Sequence, residues 1–139
     1  MDHYKELVDA AIAARKMAYA PYSNFKVGAA LQTNSGKIYQ GCNIENATYT
    51  PTNCAERTAF FKAVSEGEHE FACIAIVGGK GEEISGNICP PCGVCLQVMM
   101  EFCDPEHFQV ILVKNAEEWE VHTLLELMPF GFGSANLNL

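Results

Sequence analysis

Residues 54–78 read CAERTAFFKAVSEGEHEFACIAIVG, and this stretch decides the fold class. Its first half, Cys54–Glu66, reads as a helix. Asn53 stands just before it as the expected cap, because a short polar side chain can accept from the unpaired N–H groups of a first turn. Its second half, Phe71–Gly78, is an apolar run of strand length. Working outward, the alternation repeats. Upstream, 44–53 is a polar loop containing Pro51, preceded by strands over Lys37–Asn43 and Phe25–Thr33, joined at Asn34-Ser35-Gly36 as a hairpin. Before them, Leu7, Val8, Ala11, Ile12, Ala14 and Ala18 carry the spacing of one buried helical face over 4–18, with Pro21 beyond its end. Downstream, 79–87 is a loop and Pro90-Pro91 lead into a helix over Gly93–Cys103, where the missing proline N–H costs nothing. Strands follow at Phe108–Val113 and Trp119–His122, then a short helix at Leu124–Met128 and a tail over 129–139. Interleaved helices and strands predict an α/β protein with helices packed on a mixed sheet.

At 139 residues and 49% apolar, the chain is one domain's worth, 1–139, with enough apolar side chain for a single core. No apolar run reaches the roughly 18–20 residues that a membrane span needs. The opening MDHYKELVDAAIAARKM lacks the basic start, apolar centre and small-residue cleavage site of a secretory signal, so a cytoplasmic protein is expected. Nine basic against seventeen acidic residues leave a formal charge of −8. Binding a polynucleotide requires basic surface, so neither nucleic acid nor membrane is expected as a partner.

Seven cysteines in a reducing compartment point away from disulfides. Cys42, Cys73 and Cys103 lie in apolar stretches and read as small hydrophobes. Cys92 and Cys95 have a two-residue gap that lets both thiolates close on one metal ion from a helix start. That pair alone is a weak signal. Cys54 strengthens it, because it too stands at an expected helix start, where the partial positive charge of the helix end favours thiolate. Three ligands leave the fourth tetrahedral position of zinc open to water, as in catalytic sites. Glu56, on the same first turn as Cys54, can reach that water without binding the metal and can shuttle its proton. Arg57 is placed to bond thiolate sulfur and offset the excess negative charge of three thiolates. His3, His69, His107 and His122 have no ligand spacing and stay outside the site.

The Cys-x-Glu and Pro-Cys-x-x-Cys pair resembles the signature of the zinc nucleobase deaminases. With Cys as first ligand, the chain is similar to the small homotetrameric cytidine deaminases. The segments that carry the resemblance occur in the family's order: Tyr22-Ser-Asn-Phe25-Lys-Val-Gly-Ala-Ala30, Gly41-Cys-Asn-Ile-Glu-Asn-Ala47, Cys54-Ala-Glu-Arg-Thr58, Pro91-Cys-Gly-Val-Cys95 and Leu127-Met-Pro129. The resemblance implies a three-layer α/β/α sandwich around a five-stranded sheet. It implies one Zn²⁺ per subunit held by Cys54, Cys92 and Cys95, with Glu56 as proton shuttle. It implies that Asn43 and Glu45 hold the ribose hydroxyls, Phe25 flanks the base and the Ala55 amide serves the base carbonyl. Tyr49 and Phe132 match positions that reach a neighbouring subunit's pocket, so the implied partners are a nucleoside and further copies of the chain in a homotetramer. The implied reaction is deamination of cytidine and 2′-deoxycytidine, as in pyrimidine salvage.

Two residues depart from the family pattern. Leu96 stands where the family usually has arginine, leaving more of the charge balance to Arg57. Cys89 extends the run to Cys89-x-x-Cys92-x-x-Cys95, which allows a Cys₄ structural site as the non-enzymatic alternative. A deaminase of a cytosine-nucleoside analogue such as blasticidin S is the enzymatic alternative. Phe130 and Phe132, each followed by a glycine in the tail, must bury their rings either on the chain's own core or on a neighbour.

Overall fold

The computed structural model describes residues 2–137, with side chains from Tyr4 onward; Met1, the Asp2 and His3 side chains, Asn138 and Leu139 lie outside the described residues. The elements run α1 (Asp2–Arg15), β1 (Phe25–Thr33), β2 (Ile38–Cys42), α2 (Ala55–Ser65), β3 (Phe71–Lys80), α3 (Gly93–Phe102), β4 (Gln109–Val113), β5 (Trp119–Thr123) and α4 (Leu124–Leu127), with a 3₁₀ turn at Ser134–Leu137 in the tail. The strands form one sheet in the order β2-β1-β3-β4-β5. Only β3 and β4 pair in parallel, as a connection through α3 requires; the other pairs are antiparallel, so the sheet is mixed.

Alternation along the strands divides the core into two layers. Ala30, Cys73, Ala75, Val77, Ile111 and Val113 face α1, meeting Leu7, Val8 and Ala11. Ala29, Leu31, Ile74, Ile76, Val110 and Leu112 face the other way, onto Phe60 of α2 and Met99 of α3. The result is a helix layer on each face of the sheet, the expected sandwich. Small residues set the spacing. A Cβ on Gly28 would lie 2.2 Å from the Ala11 carbonyl, and one on Gly41 would lie 2.4 Å from the Ala55 carbonyl. Gly41 therefore lets the first turn of α2 rest on β2, and the expected site residues 54–57 begin at that turn.

Several expected boundaries move, each for a local reason. Helix α1 ends at Arg15 and not at residue 18, but the chain keeps winding in tighter turns, Met17 N–H to Ala14 at 3.0 Å and Ala18 N–H to Arg15 at 3.1 Å. The cap expected at Asn53 does not form: its amide donates to Thr58 Oγ1 at 3.2 Å. Cys54 is the cap residue, extended at φ −75° and ψ 156°, and its side chain caps nothing. Asn43 leaves β2 because its side chain takes over the ladder. It accepts from the Val27 N–H at 2.9 Å and donates to the Phe25 carbonyl at 2.8 Å.

Candidate metal centre and active site

Helices α2 and α3 start beside each other, capped by Cys54 and Cys92, and neither cap side chain bonds a first-turn N–H. Two sets of unpaired N–H groups thus flank one spot, and the partial positive charge there favours thiolate. The sulfurs of Cys54 and Cys92 are 3.9 Å apart, those of Cys92 and Cys95 are 3.6 Å apart, and all three lie within 4.8 Å of one another. A tetrahedral zinc with Zn–S near 2.3 Å would hold its sulfurs about 3.8 Å apart, so the trio fits that ion with little rearrangement. Among the described residues this is the one such group, and Cys89 is not a member of it.

The surrounding charges suit a metal. Arg57 Nη2 donates to Cys54 Sγ at 3.2 Å, while its buried Nε has no partner among the described residues. Hydrogen bonding from Cys95, together with Arg57, pulls the Cys54 thiol down to about 5 against the cost of burial. Cys95 is pushed up because its thiol keeps its proton in a hydrogen bond to Cys54 and because it is buried. A shared proton among these sulfurs is what a cation displaces. Glu56, one turn-step from Cys54, is buried at 5% exposure. Burial raises its carboxyl to about 7, with the Cys54 charge adding to the rise. A carboxyl in that range can accept a proton and return it near neutral pH.

A cavity of about 180 Å³ opens onto this group, lined by Val27, Asn43, Thr52–Glu56, Cys89, Pro90 and Cys92. It has room for a planar base but not for a whole nucleoside, whose sugar would sit at the mouth. Asn43 and Ala55 of the expected site lie in the lining. Asn43 has one amide hydrogen and one lone pair left after its two backbone bonds. Phe25 is half-buried at the start of β1, its ring edge over Gly78, where a Cβ would meet both that ring and the Cys89 side chain. Glu45 lies outside the lining, accepting from the Tyr22 N–H at 3.0 Å, the Ser23 N–H at 3.1 Å and the Ser23 hydroxyl. These bonds, the hydroxyl first, hold its carboxyl below the usual range.

Tyr49 is 71% exposed at a positive φ of 66°, and its ring meets that of Tyr22 edge-on at 6.2 Å. Phe132 is 56% exposed and is tied by its carbonyl to Gln97 Nε2 at 2.8 Å. Phe130 is fully exposed, so neither tail ring caps the chain's own core. Leu96 packs at the edge of the larger core cluster and brings no charge to the metal group. Sequence reasoning did not single out Val27, Thr52 or Pro90. A strand valine, a loop threonine and a helix-leading proline carry no chemical signature, and only the closure of the chain around the pocket assigns them to its wall.

Residues 1–111 match the family model described as the cytidine and deoxycytidylate deaminase zinc-binding region. A cytidine deaminase of Sporosarcina psychrophila is 47% identical over 125 residues, covering 90% of this chain and 88% of that protein. One of Halalkalibacterium halodurans is 46% identical, covering 95% and 96%. The crystal structure of a cytidine deaminase from Burkholderia pseudomallei superposes with a TM-score of 0.84 at 48% identity, over 95% of this chain and all of that one.

Proposed function

Since the chain belongs to the cytidine and deoxycytidylate deaminase family, we propose that it hydrolyses cytidine and 2′-deoxycytidine to their uridine forms and ammonia. The observation that carries this reading is the buried carboxyl of Glu56 on the same helical turn as one sulfur of the three-cysteine group. A purely structural zinc site has no use for such a neighbour. When bound by Cys54, Cys92 and Cys95, Zn²⁺ supplies the Lewis acidity that brings water within reach of deprotonation near neutral pH. Glu56 takes a proton from the attacking water and delivers it to ring nitrogen N3. It carries a second proton to the departing amine, so one water is consumed and one ammonia released.

Most of the other roles are those that the family resemblance implies. Val27 and Phe25 bound the base on its apolar face, the Ala55 N–H serves the base carbonyl, and the free hydrogen and lone pair of Asn43 meet the ribose. Glu45, already ordered by Tyr22 and Ser23, reaches the ribose from the pocket mouth. Arg57 offsets the thiolate charge. A carboxylate at the sugar and a net charge of −8 disfavour a 5′-phosphate, which keeps the substrate a nucleoside. Tyr49 and Phe132, exposed on this chain, complete the pocket of a neighbouring copy in a homotetramer. Pyrimidine salvage in the cytoplasm is the setting that suits this chemistry.

The deciding experiment is Glu56→Ala. The variant keeps zinc, because ligation needs only the thiolates, and loses deamination of cytidine followed by ultraviolet absorbance. A variant that retains most of its turnover removes Glu56 from the reaction.

A further inference from the structure

A second cavity, of about 210 Å³, lies on the α1 face of the molecule and is lined by Ile12, Arg15, Lys16, Lys26, Glu82 and Ile84. Three of the chain's nine basic residues meet there, in a protein of net charge −8. Arg15 is the unusual member, because it is 4% exposed yet has no carboxylate partner among the described residues. Its Nε donates to the Lys26 carbonyl at 3.0 Å, and its Nη2 serves the carbonyls of Gly79, Gly81 and Glu83 at 2.7, 2.9 and 2.7 Å. Nη1, with two N–H groups, has no protein partner among the described residues. A buried guanidinium is normally neutralised by an anion or fully hydrogen-bonded. This one is held by backbone dipoles with one nitrogen left over.

The cavity already holds one negative group. Glu82, on the loop after β3, accepts from Lys26 Nζ at 2.9 Å, though its side chain is 89% exposed. Its carboxyl is kept below the usual range by the Lys26 hydrogen bond and charge, and by the charge of Arg15. An exposed pair of this kind is weak and easily exchanged.

We propose that this cavity binds a compact phosphate-bearing anion. Arg15 Nη1 and the two lysines are its donors, and Glu82 is a counter-ion that the ligand displaces. The two N–H groups of Nη1 can each donate to an anion oxygen, and the lysines add charge without demanding geometry. The volume suits phosphate or pyrophosphate, with Ile12 and Ile84 as an apolar flank against which a nucleotide's remaining atoms can lie.

The test is calorimetric titration of the zinc-loaded protein with inorganic phosphate, pyrophosphate and ATP at fixed ionic strength, chloride serving as reference. Saturable binding at one anion per chain is expected, with Lys16→Glu and Lys26→Gln each weakening it about tenfold and Glu82→Gln tightening it. Equal affinity for pyrophosphate and ATP identifies the free anion as the ligand, whereas a clear preference for ATP identifies phosphate carried on a nucleotide. Heats no larger than those of chloride overturn the proposal. So does binding that survives undiminished in the Lys16→Glu/Lys26→Gln double variant, since the anion then sits elsewhere. Arg15→Lys tests the guanidinium itself. If that variant does not fold, the lysine variants decide alone. The heats do not depend on deamination, so this inference and the proposed reaction fail separately.

Discussion

In the proposed reaction Glu56 concentrates most of the chemistry in one carboxyl, and its burial has a thermodynamic signature. In the zinc-free protein the folded state holds the Glu56 proton up to about pH 7. The unfolded chain releases it near pH 4.5, so the folded state binds more protons between those values. Stability from this group is therefore full below about 4.5 and is lost as pH rises to about 7, a difference of about 3 kcal/mol. Glu56→Gln fills the same space without titrating. With zinc removed by a chelator, its stability advantage over the parent should grow across this window and level off above it, as read from urea midpoints at each pH. A constant difference would mean that Glu56 is solvated in the folded state. Cys54 titrates in both proteins and largely cancels. Cys92→Ala should act differently, losing zinc outright, because the remaining pair of sulfurs cannot hold the ion in a closed arrangement. Metal content by atomic absorption checks it.

At the scale of elements, the site depends on how closely α2 approaches β2. Ala55 and Ala59 lie against Gly41, where a Cβ would meet the Ala55 carbonyl at 2.4 Å and the Ala59 nitrogen at 2.6 Å. These are backbone atoms and cannot move aside as a side-chain tip would. Gly41→Ala must push the start of α2 outward, at a cost of about 1–3 kcal/mol in stability. Because Cys54, Glu56 and Arg57 ride on that turn, zinc affinity and turnover should fall together. Thr123→Ala is the matched control. It removes the capping box of α4, in which Thr123 Oγ1 accepts from the Glu126 N–H at 3.1 Å and the Glu126 carboxylate accepts from the Thr123 N–H at 2.7 Å. It should cost about 1 kcal/mol with zinc affinity unchanged. Equal effects of the two substitutions on zinc affinity would show that general loosening, not the position of α2, governs the site.

For the whole molecule the question is who completes the pocket. Phe130 and Phe132 are exposed on this chain, as is Tyr49, although aromatic rings in a solvated tail gain nothing from water. Stacking of an aromatic on a base contributes roughly 1–3 kcal/mol, so Phe132→Ala should lower turnover about 5- to 150-fold. Complementation tests whether the ring acts in trans. Glu56→Ala and Phe132→Ala proteins, unfolded, mixed and refolded together, should give more activity than the sum of the separately refolded parents. Only then can an intact Glu56 meet a neighbour's intact Phe132. Activity equal to the sum assigns the ring to its own subunit or to no pocket.

The amino-acid sequence by itself determined the interleaving of helices and strands, the hairpin at Gly36 and the α/β class, since these rest on local periodicity and turn chemistry. It also brought Cys54, Cys92, Cys95 and Glu56 forward, because thiolate and carboxylate chemistry marks itself by residue type and spacing. Only the tertiary structure decided that the Asn43 side chain replaces a rung of the β1–β2 ladder, that Cys54 and not Asn53 stands at the cap, and that Cys89 lies apart from the three-sulfur group. It alone brought Arg15 to the carbonyls of residues 79–83 and to Lys26. The physical reason is the same in each case. A polar side chain in a folded protein is committed by whichever partners long-range packing brings within hydrogen-bond distance, and no local pattern in the chain encodes those partners.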